Sequence, residues 1–498
     1  MDVLSHLAHG FATALTLKNV YFCFIGCLWG TVVGVLPGIG PVAGITLLIP
    51  ATYGMDATGA IIMLAGIYYG AMYGGSTTSI LMNIPGESAS VITCLDGYQM
   101  AMKGRGGAAL FIAAFGSWIG GTLSIAGLML MAPLLAEFAT KFGPPEMFSI
   151  YLVAFILLSS LGSNFFTTMP VVFLGLLFAT IGLDPLTGVL RFTHGVKHLY
   201  DGLGFVPIAM GAFGMGEILS STQESAEGRV VQKVRLRELL PTWKELRDSW
   251  GPVLRGSVIG FFLGLLPGSA HIVSSFLSYL VEKRMAKRPE EFGSGRIEGV
   301  AGPETANNAA TGGAMIPFLG LGIPTGPPAA VMMIALLIHG FRPGPLFISQ
   351  QPHIFWGLIA SMYIGNVILL ILNLPLVGLF VNLLRVPFRI LFQIILLICL
   401  IGTYTVNLDS FDLIVLLSAG VLGYLFRSWG FEIAPLVLAI ILGPGAEITF
   451  RQSLMRSGGS FSIFIESPIA LALIIVSFAL LAWNIYKSVG AKQAQATA

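Results

Sequence analysis

The chain has 498 residues, 55% of them hydrophobic and only 10% charged, with 26 Lys and Arg against 24 Asp and Glu. Ordinary soluble domains are roughly one quarter charged, so this composition excludes a common globular enzyme and fits an all-α polytopic membrane protein. A net charge of +2, with no basic cluster interleaved with aromatics, gives no reason to expect nucleic acid and leaves the lipid bilayer as the surroundings.

The first residues lack a basic region followed by a long apolar core, so no cleavable signal peptide is read there. Leu4, Leu7, Phe11 and Leu15 recur at helical spacing and predict an amphipathic helix on the membrane surface. Tyr21 to Pro50 is the first long apolar stretch, interrupted by GVLPGIGP at Gly34 to Pro41. Ala60 to Asn83 follows and runs into Ile84-Pro85-Gly86-Glu87. Asp96 to Gly107 is polar enough to leave the bilayer, with Asp96 read as a loop or cap residue. Ala108 to Leu135 is long enough to span. Phe148 to Leu161 and Pro170 to Ile181 predict a short helical pair around Asn164. His194 and His198 share helical spacing with no acidic partner on that face, which argues against a metal site. Cys23, Cys27, Cys94 and Cys399 read as small packing residues.

Gln223 to Arg255 is the one clearly hydrophilic connection; its Lys and Arg place it in the cytoplasm by the positive-inside rule. Val253 to Val281 is broken at GLLPGSAH, Gly264 to His271, and is followed by a second basic loop. Basic flanks on both sides predict a re-entrant hairpin turning at Pro267-Gly268. Gly299 to Phe341 then carries many glycines and prolines together with Glu304, Asn307, Asn308, Thr311 and Thr325. Close helix packing explains glycines, but it does not explain prolines, asparagines and a glutamate together. His353 to Leu384, Ile390 to Val406, Leu413 to Phe426, Ile433 to Leu442 and Ile469 to Tyr486 complete the apolar segments. Lys487 and Lys492 favour a cytoplasmic C-terminus.

The halves echo each other. Gly34-Val35-Leu36-Pro37-Gly38 matches Gly264-Leu265-Leu266-Pro267-Gly268, and Ile84-Pro85-Gly86 matches Ile323-Pro324-Thr325. Duplication with broken helices is a transporter pattern, and the unequal basic flanks of the two hairpins predict inverted repeats. The domain reading is a first repeat over 1–222, a cytoplasmic linker over 223–252 and a second repeat over 253–498.

Helix breaks at membrane depth expose amides that suit carboxylates and carbonyls that suit cations. The expected substrate-binding residues are Gly38, Ile39, Gly40, Pro85, Gly86, Glu87, Ser88, Gly268, Ser269, Asn307, Asn308, Pro324, Thr325 and Gly326. The expected ion-binding residues, offering oxygens to a hard cation such as sodium, are Ser76, Thr77, Thr78, Ser79, Asn83, Glu304, Thr311 and Gly312. For Glu87 and Glu304 the plain alternative is helix capping at the interface. His271 reads as structural. No phosphate loop, nucleophile elbow or zinc motif is present, so the chain is not read as an enzyme and no cofactor is expected.

GVLPGIGPVAGITLLIP, GAMYGGSTTSILMNIPGE, DGYQMAMKGRGGAAL, GLLPGSAH and EGVAGPETANNAATGGAMIPFLGLGIPTGPPAAV together resemble the large membrane subunit, of TctA type, of tripartite tricarboxylate transporters. The resemblance implies secondary uptake of carboxylates such as citrate across the bacterial inner membrane, coupled to an ion gradient, often sodium. It implies a small membrane subunit (TctB type), a periplasmic solute-binding protein (TctC type) and a self-association surface. It also implies an elevator-like arrangement, with core segments 19–106 and 253–345 and scaffold segments 107–222 and 346–498. A channel for small anions, or a membrane enzyme on lipid-linked substrates, are the alternatives.

Overall fold

The computed structural model describes residues 3–36, 39–139, 141–158, 165–184, 186–216, 219, 239–266, 270–383 and 388–496. It is helical almost throughout, with a single two-residue antiparallel ladder pairing Gly182–Leu183 with Leu190–Arg191 among the described residues. Seven described helices are long and apolar enough to cross a membrane. The molecule is a multi-pass membrane protein, as its composition requires.

The chain divides into two compact units. The first comprises Met1–Ala136 and Glu217–Ile398; the second comprises Glu137–Gly216 and Cys399–Ala498.

In the first unit α1 (Val3–Ala14) is followed by α2 (Leu17–Val35), α3 (Gly40–Leu48), α4 (Ala57–Met82), α5 (Thr93–Met102) and α6 (Gly106–Ala139). The amphipathic helix expected at the start is α1; it packs Gly10 on the Trp356 carbonyl and stacks His6 on Trp356. α3 folds back along α2, with Trp29 Nε1 donating to the Gly44 carbonyl at 3.1 Å. α4 is buried over nearly its whole length. Asp56 caps its start by accepting from the Gly59 amide at 3.0 Å, and Asn83 ends it in the left-handed conformation, φ 60°. Pro85, two residues on, cannot continue the helix.

After helices α7 to α9 of the second unit the same order recurs. α10 (Trp243–Gly264), α11 (Ala270–Met285), α12 (Glu298–Leu321) and α13 (Pro327–Ile338) repeat the pattern of hairpin, long buried helix, break and following helix. α10 begins ten residues before the apolar stretch expected from Val253, because Thr242 and Glu245 form a capping box. Arg255 of α10 bonds Glu282 near the end of α11, with Nε to Oε1 at 2.9 Å, so these two helices also run back alongside each other. α12 is continuous through Pro303, Gly312 and Pro317 and ends at Gly322, φ 70°. The glycines and prolines of the Gly299 to Phe341 stretch therefore make one break, at 322–326. Four breaks result, two in each repeat, each falling at a Gly/Pro motif seen in the sequence.

Glycines set how closely these helices approach. A Cβ on Gly26, Gly30 or Gly34 of α2 would stand 2.1, 2.6 or 2.2 Å from the carbonyls of Met63, Ile67 or Ala71 of α4. On α10, Gly256, Gly260 and Gly264 meet the carbonyls of Gly302, Ala306 and Ala310 of α12 at 2.5, 2.2 and 2.4 Å. The two stripes correspond residue by residue at one constant offset in residue number. The sequence motif Gly34 to Gly38 is thus the visible end of a longer repeat whose remaining matches are single glycines. The order of helices and the packing are repeated.

The first unit is completed by α14 (Phe347–Gln350), α15 (Pro352–Asn373), α16 (Val377–Leu383) and the start of α17 (Phe388–Asn407). α15 lies on α1, α2 and α4.

In the second unit α7 (Pro144–Leu158) and α8 (Phe165–Ala179) lead into the Gly182–Arg191 ladder and α9 (Phe205–Ala209), which continues as a π-helical turn over Met210–Met215. Asn164, expected between α7 and α8, lies outside the described residues. α18 (Ser410–Ser428), α19 (Ala434–Arg456), α20 (Ile463–Glu466) and α21 (Pro468–Ala496) complete it. α19 extends well beyond the apolar run Ile433 to Leu442, through Pro444, and packs on α7 and α8. Arg191 of the ladder grips Glu447 of α19 with two bonds of 2.7 and 3.2 Å, while Arg451 reaches Asp184 at 2.8 Å. His198 bonds Asp409 at 2.7 Å and stacks on Phe411.

Candidate functional site

Some of the polar residues singled out in the sequence meet between α4, α5 and α12. Glu304 of α12 is 1% exposed. Its two carboxylate oxygens accept hydroxyl protons from Ser76 of α4 and Thr93 of α5. One turn further along α12, Asn307 donates its amide to Oε1 of Glu87 at 2.9 Å. Glu87 is partly buried and stands just after the break that ends α4; its Oε2 accepts from the Ala89 amide at 2.7 Å. Gly75, beside Ser76, makes room for it: a Cβ there would lie 2.8 Å from Glu87 Cγ. Neighbouring positions on α4, Gly75 and Ser76, thus touch the two carboxylates, while α12 supplies Glu304 itself and Asn307, the partner of Glu87.

Hydroxyls join these groups. Ser79 donates to Ser90 at 2.9 Å, and Ser90 in turn lies 2.8 Å from the Glu87 carbonyl. Thr78 donates to the Val35 carbonyl at 2.6 Å, at the end of α2. Gly86 sits on the Gly34 carbonyl, so the two breaks of the first repeat lie side by side. Ile39 is buried, and Gly40 takes φ 66° at the start of α3. Gly38, Gly268 and Ser269 lie outside the described residues.

Asn308 turns the other way. Its amide donates to Ser117 of α6 at 2.7 Å and to the Glu304 carbonyl at 3.1 Å, and its oxygen Oδ1 is buried without a partner. It borders a small cavity with Tyr69, Tyr73, Ser124, Thr311 and Asn366. Gly312 acts as a spacer there, since a Cβ would stand 2.1 Å from Ser124 Oγ. Thr77 is buried on α4, whereas Asn83 and Ser88 are exposed at the first break. The break at 322–326 packs on Pro343 and Gly344, with Pro324 and Gly326 buried and the Thr325 hydroxyl buried without a partner.

Asp96, expected in a loop or at a cap, instead lies in the first turn of α5; fully buried, it accepts from the loop amides of Gly293, Gly295 and Arg296 at 3.0, 2.7 and 2.7 Å and from the Tyr279 hydroxyl at 2.9 Å. His271 is held by the hydroxyl of Tyr68, on whose ring it stacks. Thr93, Ser90, Ser117, Tyr73 and Asn366 are members of the polar network that sequence reasoning missed. Among the described residues no group of His, Cys, Asp and Glu is arranged to hold a transition metal.

Duplicated hairpins, paired helix breaks and a buried polar junction between repeats define a membrane transporter. The comparison with family models gives the same class: residues 20–438 match the tripartite tricarboxylate transporter TctA family, and the chain belongs to it. It is 46% identical over 99% of its length to an uncharacterized 52.8 kDa protein from the TAR-I ttuC′ 3′ region of Agrobacterium vitis, covering 98% of that protein. A second Agrobacterium vitis protein, from the TAR-II ttuC′ 3′ region, is 48% identical over 43% of the chain and 89% of its own length. An uncharacterized protein of Methanocaldococcus jannaschii is 25% identical over 55% of the chain and 63% of its own length. No solved structure matches the chain.

Proposed function

We propose that this chain is the large membrane subunit of a secondary transporter that takes up a di- or tricarboxylate, such as citrate, coupled to a cation. The observation that carries this reading is the junction of Glu304, Ser76, Thr93, Glu87 and Asn307, which joins the two repeats beside a helix break. Buried polar groups at such a place are costly in a membrane and serve substrate or ion pathways. Amides at the helix breaks, at Ile39 and Gly40, Gly86 to Ser88, and Thr325 and Gly326, would serve the carboxylate, together with those of Gly38, Gly268 and Ser269, which lie outside the described residues. Oxygens of Ser76, Thr77, Thr78, Ser79, Asn83 and Thr311 would serve the cation, sodium in this reading. The hairpins would be re-entrant, the repeats inverted, and a core of broken helices would move past a scaffold. Family membership supports a small membrane subunit and a periplasmic binding protein as partners, with the subunit in the bacterial inner membrane, and Lys487 and Lys492 favour a cytoplasmic C-terminus. Transport, not catalysis, is the activity.

Reconstitution with both partners into proteoliposomes tests this. Carboxylate accumulation that needs both an inward sodium gradient and the binding protein is the expected result. Downhill anion flux without either would make the chain a channel instead.

A further inference from the structure

The glycine seams that lay α2 on α4 and α10 on α12 make Met63, Ile67 and Ala71 the counterparts of Gly302, Ala306 and Ala310. At the same spacing Tyr69 answers Asn308, and Tyr73 answers Gly312. All four border the small cavity beside Asn308, which measures about 20 Å³. Equivalent positions of two repeats meet in one place only near the axis that relates the repeats. The cavity is uneven, because the first repeat brings two tyrosines to it and the second an asparagine and a glycine. The two smaller residues leave the room.

Asn308 brings a polar atom to this place. The residue is 3% exposed, and its amide nitrogen donates to the Glu304 carbonyl at 3.1 Å and to Ser117 Oγ at 2.7 Å. A carbonyl oxygen only accepts, so the nitrogen faces it and Oδ1 faces away. That oxygen is buried with no donor, and the buried hydroxyl of Tyr69 has no partner either. Asn366, which also borders the cavity, cannot serve Asn308. Its nitrogen bonds the Trp118 carbonyl and Thr122 Oγ1, and its oxygen accepts from Tyr73. A buried acceptor left without a donor is costly, so a further group is called for.

We propose that the cavity holds one ordered water molecule that donates to Asn308 Oδ1, with Tyr69 and the hydroxyls of Ser124 and Thr311 as its further partners. A water needs roughly 10–15 Å³ and at least two polar partners, and the cavity offers both. The space is too small for a di- or tricarboxylate. It also suits a hard cation poorly, since no carboxylate lines it and such an ion takes about six oxygens. Asn308 and Thr311, expected from the sequence at the substrate and at the ion, are thereby moved to a fixed solvent site between the repeats. The inference does not depend on the carboxylate-uptake reading.

Pulsed X-ray radiolysis of the full chain in lipid nanodiscs tests this, because hydroxyl radicals form from water wherever it is held. Met362 borders the cavity and is 3% exposed; Met315 of α12 is 0% exposed and does not border it. Mass spectrometry should find Met362 oxidised about tenfold faster than Met315, equally in sodium and in choline buffer. Equal rates for the two methionines overturn the inference. A difference that appears only after sodium is withdrawn puts a cation in the cavity and overturns it as well. Asn308→Leu, which removes the acceptor, should bring Met362 down to the rate of Met315; an unchanged rate overturns the assignment of Asn308. If that variant does not fold, the wild-type comparison decides alone.

Discussion

Asn83 and Gly322 end the two long buried helices in the same left-handed conformation, φ 60° and 70°, and each is followed by Ile-Pro. Equivalent places in the two repeats thus use the two residues best suited to that backbone. They are not equally replaceable. A Cβ at Gly322 would lie 2.6 Å from the Pro343 carbonyl. Gly322→Ala should therefore cost about 2 kcal/mol or more from backbone strain and crowding, while Asn83→Gly should change stability by less than about 1 kcal/mol. Thermal unfolding of the purified protein in detergent reads both; equal effects would contradict this account.

Seams in which a glycine faces a backbone carbonyl leave no side chain to move aside. Gly260→Ala should lower stability by roughly 2–3 kcal/mol, because its methyl would stand 2.2 Å from the Ala306 carbonyl. Gly54→Ala, where nothing lies within 4 Å, serves as the control. A Tm for Gly260→Ala that matches the control would show that the seam opens easily.

Asp184 lies in the loop between α8 and α9, outside the spanning helices. The Arg451 guanidinium, followed by the Leu186 amide, holds its carboxyl well below the usual carboxylate range. A carboxyl with a lowered folded-state pKa contributes stability that is complete above its unfolded value, near pH 4, and is lost as pH falls further. The wild type should lose stability on acidification below about pH 4, and Asp184→Asn should flatten that loss. Parallel acid profiles for the two proteins would remove Asp184 as a contributor.

Inverted topology has a direct readout. Single cysteines at Asp56 and Pro289, in a background without native cysteines, should label from opposite sides of the membrane. Labelling of both from one side would leave two repeats running in the same sense.

Much of this fold was legible because punctuation at membrane depth is rare. LPG and IP motifs marked all four breaks, and the apolar segments located the long helices. What escaped has physical causes. The dense Gly/Pro composition of Gly299 to Phe341 did not reveal that α12 would carry Pro303 and Pro317 inside one continuous buried helix. The boundary of α10 was hidden because its first turns are polar and only the Thr242–Glu245 capping box marks the start. In the site, Glu304, Ser76, Glu87 and Asn307 stood out as polar residues in dense motifs. Thr93 and Ser90 did not, because one hydroxyl in a mixed stretch carries no period; only the fold brings Thr93 to Glu304.

Asp96, on α5 of the first repeat, grips the amides of Gly293, Gly295 and Arg296 just ahead of α12 in the second. With Glu87 on Asn307 and Ser76 and Thr93 on Glu304, the duplicated halves are riveted to each other at both ends of their junction. A rocking of one half against the other would leave a buried carboxylate bare at each step. In the transport proposed above, these bonds would hold the two halves together as a single piece.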